Sequence, residues 1–169
     1  MRYTSVAKKI RKSIAEKPFP PKFPDDEWTY SSIINITNCF AYAINSTVEV
    51  DDVYFIIKEE KVHIHDPSYS DQEVCDAFEA IMQYLGIEYC RTKKDGRRPN
   101  HSYRIAVCNY VRGRDFHFAR QNKNGSWSHK MGWYSLPTLI SKSTENFEEK
   151  MEQMGYKIVA FYAIKQLKL

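Results

Sequence analysis

The chain predicts an α+β domain, on three observations. Apolar residues recur at helical spacing through the first half. From Ile87 onward the period switches to two, and the runs that follow are divided by hairpin-length turns rather than helical crossovers. With 169 residues, 43% of them hydrophobic, the chain is long enough for one domain with a sizeable core. Six glycines and 27% charged residues argue against wholesale disorder. An aromatic content of 14% suits packed sheets or a wide groove.

The elements follow in order. Residues 3–16 read as a basic helix with Val6, Ile10 and Ile14 on one stripe. The segment Pro18–Pro24 ends it, because proline removes donors and biases its predecessor to extended backbone. Thr37 and Asn38 are good N-cap types ahead of a short helix through Ala41, Ala43 and Ile44. Residues 53–57 and 61–64 are strand-like, with a hairpin across Lys58–Glu60. Ser70 and Glu73 form a capping box for a helix to Leu85, closed by Gly86, with Val74, Ala77, Phe78, Ile81, Met82 and Leu85 as its core stripe. Strands are expected at 87–91, 103–111, 115–121 and 127–130. A helix at 144–154 and a last strand at 156–165 follow. The division drawn is an N-terminal helix and Pro-rich arm, 1–28, and a main domain, 29–169.

Net charge is +4, dispersed rather than blocked, which argues against a nucleic-acid partner. The cysteines at 39, 75, 90 and 108 contain no Cys-x-x-Cys and fit a reducing compartment better than a disulfide framework. There is no run of 18 apolar residues and no apolar N-terminal leader. The expectation is a soluble protein without a membrane span, either cytoplasmic or delivered to a target cell without a cleaved signal.

One pattern carries chemistry. Cys39 opens a predicted helix in Asn38-Cys39-Phe40-Ala41-Tyr42-Ala43, His117 lies in Asp115-Phe116-His117-Phe118, and His129 comes one hairpin later. A thiol nucleophile needs a base and benefits from a helix start, and the base needs a partner on its second nitrogen. Strand alternation puts Asp115, His117, Ala119 and Gln121 on one face. A two-residue Asn124-Gly125 turn would send His129 to the other face. A three-residue loop, Lys123-Asn124-Gly125, would pair Ala119 with His129 and make the two histidines diagonal neighbours. Asp115 and Gln121 are same-face rivals for the third position.

These words, with Gly125-Ser126-Trp127-Ser128-His129-Lys130, resemble papain-like cysteine hydrolases of the NlpC and CHAP groups and small bacterial and phage proteins of that layout. The resemblance spans roughly residues 30–165 in element order and two short motifs in sequence. It implies a papain-like core, with the nucleophile helix packed on an antiparallel sheet of about five strands. It also implies a Cys39 nucleophile, His117 as base and acid, and His129 orienting His117. The implied reaction is attack by a Cys39 thiolate, paired with His117, on an amide, isopeptide or ester bond through an acyl-enzyme. The substrate would be a protein or peptide, with a peptidoglycan fragment as one option, and no cofactor or metal is called for. The Cys39 backbone N–H would serve as one oxyanion donor, with Asn35 or Tyr30 as the second.

Plainer readings stand beside these. Free cysteines are commonly core residues, and His117 between two phenylalanines could be a packed strand histidine. A non-catalytic binding protein on the same scaffold, acting as an effector or inhibitor by contact, is the alternative function. His63, His65 and Asp66 invite a metal reading but lack a ligand to close the site; Cys39, His117 and His129 could hold zinc, again without a fourth ligand. The basic loop Lys93–Arg98, and Arg112 and Arg114 beside His117, could favour an acidic partner.

Overall fold

The structure, a computed structural model, describes residues 4–48, 70–112 and 115–169. The hairpin expected at 53–64, the His63–Asp66 cluster and Arg114 lie outside these residues. In order come α1 (Ser5–Ala15), a 3-10 turn (Asp26–Thr29), α2 (Ser31–Ile34), α3 (Cys39–Ala43), α4 (Asp71–Leu85), β1 (Tyr89–Thr92), β2 (Ser102–Tyr110), β3 (Phe116–Gln121), β4 (Trp127–His129), β5 (Thr138–Ser141), α5 (Phe147–Gln153) and β6 (Tyr156–Lys165).

Local chemistry sets the ends of these elements. Thr4 caps α1, its hydroxyl accepting from the Ala7 N–H at 3.2 Å. Ser70 and Glu73 make the reciprocal capping box of α4, and Gly86 ends that helix with φ of 61°, a left-handed conformation that glycine adopts at no steric cost. Along α4, Val74, Phe78, Ile81, Met82 and Leu85 are buried as the spacing predicts, Ala77 only partly, and Cys75 joins them.

The class is α+β, built on one antiparallel sheet in the order β1-β6-β2-β3-β4-β5. Among the described residues the sheet has six strands, where about five were expected. β5 was not foreseen because Thr138–Ser141 is too short to show a period and is exposed at its outer half. The C-terminal strand β6 inserts between β1 and β2, so its two neighbours lie far back in the chain.

The sheet separates two apolar layers. On one face Tyr103, Ile105, Val107, Phe118, Tyr162 and Ile164 pack against α1, α3 and α4. On the other, Ala106, Cys108, Ala119, Trp127 and Phe161 pack with Phe147 and Met151 of α5. The N-terminal helix contributes Ala7 and Ile10 to the first layer. No helix among the described residues is long and apolar enough to cross a membrane.

Candidate functional site

Cys39 is the first residue of α3. Asn38 caps the helix, its side-chain oxygen accepting from the Ala41 N–H at 2.9 Å. A five-residue helix has too few internal bonds to stand alone, and tertiary contacts hold its far end. Arg120, fully buried, donates from Nη1 to the Tyr42 carbonyl and to Asn45 Oδ1, both at 2.9 Å, and lies 3.8 Å over the Tyr42 ring. Its Nη2 reaches the Lys22 carbonyl at 3.1 Å, which ties down the Pro-rich segment as well. Tyr103 donates to the Ala43 carbonyl at 2.9 Å.

The near end of α3 is held by Lys130. Its fully buried ammonium donates to the carbonyls of Ile34 at 2.9 Å, Thr37 at 2.6 Å and Gly132. Three donors meet three acceptors, which uses the whole capacity of the group. Burial still pushes its pKa down to about 8, while the nearby Cys39 acts the other way.

The hairpin between β3 and β4 has the three-residue loop. The Asn122 N–H donates to the Ser126 carbonyl at 2.7 Å, Gly125 has φ of 85°, and Ala119 faces His129 across the ladder. His117 and His129 therefore share a face, and His117 Nε2 lies 2.8 Å from His129 Nδ1. The Tyr156 ring packs on His117 at 5.0 Å, and its hydroxyl reaches Asp115 at 3.4 Å.

Antiparallel alternation turns the Phe118 N–H toward the β4 side, but β4 ends at His129. That N–H meets the Cys39 sulfur instead, and the N–H groups of Phe40 and Cys39 act on the same atom. All three favour a thiolate. Desolvation outweighs them and holds the thiol up at about 12, with Asp115 adding in the same direction. Burial likewise pushes His117 down to about 3, helped by His129, and His129 to about 4.

Burial acts against the expected thiolate–imidazolium pair, raising the thiol and lowering both imidazoles, and it outweighs the amides that favour the thiolate. No hydrogen bond joins Cys39 to His117 among the described residues. Cys39 as a whole residue is half-buried, while its thiol is desolvated.

Of the rivals for third position, Gln121 is bonded away from the pair, while Asp115 lies behind Tyr156. Gln121 accepts from Arg98 at 3.1 Å and donates to Thr144 at 3.4 Å, and Asp115 accepts from the Phe116 N–H at 2.8 Å. Tyr30 and Asn35 are exposed at the two ends of α2, and among the described residues no hydrogen bond joins either to Cys39. No group of three or more His, Cys, Asp or Glu side chains among the described residues could hold a metal. The direct His117–His129 contact uses one nitrogen of each ring. Lys94, in the basic loop, pairs with Glu148 at 2.7 Å.

Three residues at the site went unassigned in the sequence. Tyr156 is brought in by β6 from 39 positions beyond His117, with no local signal. Lys130 and Arg120 were legible as cations but not as buried ones. Neither has a carboxylate partner among the described residues, and apart from Gly132 and Asn122 the groups that accept from them lie far back in the chain.

The class is a small α+β domain with one antiparallel sheet, with Cys39 at a helix start and a paired His117 and His129 on adjacent strands. The chain belongs to the family described as "Domain of unknown function (DUF7689)", whose model matches residues 31–151. That span runs from the first residue of α2 to near the end of α5 and includes Cys39, His117 and His129. No curated protein matches the chain.

Proposed function

We propose that this protein is a papain-like cysteine hydrolase, a protease or amidase acting on an amide, isopeptide or ester bond through a Cys39 acyl-enzyme. The observation that carries the reading is His117, oriented by His129 at 2.8 Å, on the strand β3 that packs against α3, the helix that Cys39 opens.

The neutral resting pair defines the mechanism. His117 donates Nε2–H to His129 Nδ1, which leaves its own Nδ1 unprotonated as the base. As the sulfur–carbon bond forms, the thiol proton passes to His117 Nδ1 and the carbonyl becomes a tetrahedral oxyanion. His117 then gives that proton to the leaving nitrogen or oxygen as its bond to carbon breaks. Water resolves the thioester by the reverse sequence. Because the resting thiol is neutral, proton transfer accompanies attack rather than preceding it.

The test is labelling with an acyloxymethyl ketone, which carries a substrate-like carbonyl and alkylates a cysteine that is positioned for attack. Cys39 should be labelled in the wild type at pH 7 and spared in His117→Ala. Plain iodoacetamide, which offers no substrate-like binding, should instead favour the exposed Cys90. Ketone labelling of Cys39 no faster than of Cys75, Cys90 or Cys108, or undiminished in His117→Ala, would sink the reading. The alternative, a contact-acting binding protein on the same scaffold, draws on the exposed apolar residues around the site. It would be established if Cys39→Ala and His117→Ala kept the full biological effect.

A further inference from the structure

Among the described residues, most of the exposed large apolar side chains fall in two stretches: Tyr30 and Ile36 in one, Met131, Trp133, Tyr134 and Leu136 in the other. These stretches are the ones that flank the site. The first leads into Cys39 and the second leaves His129. They are bound to each other, since the Tyr134 N–H donates to the Ile34 carbonyl at 3.1 Å and Lys130 bridges Ile34, Thr37 and Gly132. Neither residues 30–36 nor 131–139 contain a charged side chain. Tyr134 is 76% exposed and Trp133 49%, and monomeric proteins rarely leave such side chains clustered without a use.

A small hollow of about 120 Å³ lies beside this rim, its apolar lining Phe23, Pro24, Trp28, Tyr42, Leu136 and Pro137, with Asp25 and Thr29 completing it. Trp28 is almost wholly buried, yet its indole N–H has no hydrogen-bond partner among the described residues. An apolar wall next to an unspent donor fits an extended peptide, which offers a side chain and a backbone carbonyl together.

We propose that this rim is the recognition surface for a bulky apolar or aromatic residue of a peptide substrate, next to the bond that Cys39 attacks. On the rim itself, an acidic or basic residue would lose hydration with no charged side chain from residues 30–36 or 131–139 to meet it. The inference rests on the hydrolase reading and deepens it to a substrate class.

The experiment uses the full chain and three acyloxymethyl ketones that differ only in their side chain: phenylalanine, aspartate and lysine. The rate of Cys39 modification is followed by intact mass, with a small acetyl-glycine ketone as the reference. The wild type should favour the phenylalanine probe by about tenfold, the range a filled apolar pocket confers. The variant Trp133→Ser/Tyr134→Ser should lose that preference while keeping its rate with the reference probe.

Equal rates for the three probes, or a preference that survives in the variant, would overturn the proposal. So would a concentration-dependent dimer, seen by sedimentation, that the variant abolishes, because the rim would then be a self-association surface. Failure of every probe, the reference included, would instead remove the hydrolase reading itself.

Discussion

The two faces of β3 are built by alternating residues of one six-residue strand, yet they do opposite work. Phe118 faces a layer of rings: Phe40 at 5.1 Å, Phe78 at 5.9 Å and Phe116 at 5.6 Å. Its neighbour His117 faces the other way, against a histidine and a tyrosine whose polar atoms are paired. The first face stabilises by removing apolar area from water. The second spends stability to keep two titratable rings buried and neutral. The lesson is that adjacent residues can divide stability and chemistry between them, as strand periodicity permits.

The largest single-residue effect that would sharpen this contrast is on the apolar face. Phe118→Ala should cost about 3–5 kcal/mol, the usual price of deleting a buried ring, read by urea denaturation. A loss below about 1 kcal/mol would mean that the aromatic layer does not carry the fold.

Next comes pH, which addresses the polar face. His117 and His129 have folded pKa values depressed to about 3 and about 4 from an ordinary 6.5. Between those values and 6.5 the unfolded chain binds more protons than the folded one, so stability rises with pH there and falls as acid is added. Each proton taken up contributes about 1.4 kcal/mol per unit of pH. The double variant His117→Gln/His129→Gln should flatten the stability curve between pH 6.5 and 4. An unchanged slope would show that the pair titrates normally.

The smallest effect concerns the turn that brings the two histidines together. Gly125 has φ of 85° with open space where a Cβ would stand, so Gly125→Ala meets strain without a clash. A cost of about 1 kcal/mol in melting experiments is expected. A neutral result would mean that the loop can adopt another length, and with it another register for His129.

Much of this architecture was legible because its causes are local. The Ser70–Glu73 box, Gly86 and the bounds of β6 at 156 and 165 follow from neighbouring residues. The position of Cys39 at a helix start follows from Asn38. The hairpin reduced the placement of His129 to a choice between loop lengths, and the structure has the three-residue form. β5 was illegible because four residues carry too little pattern. The ionisation of the dyad was illegible because it depends on how completely α3, β3 and β6 exclude water from the sulfur and the rings.

By itself, then, the sequence determined the α+β class, the order of most elements and the facing of His117, since caps, turns and alternation act over a few residues. Tertiary structure alone decided what those elements surround. It inserted β6 between β1 and β2, ended β4 so that the Phe118 N–H meets Cys39, and buried Lys130 on three carbonyls. It also suppressed the charges of the thiol and the histidines. Burial is a property of what the rest of the chain brings near a residue, and no local pattern encodes it.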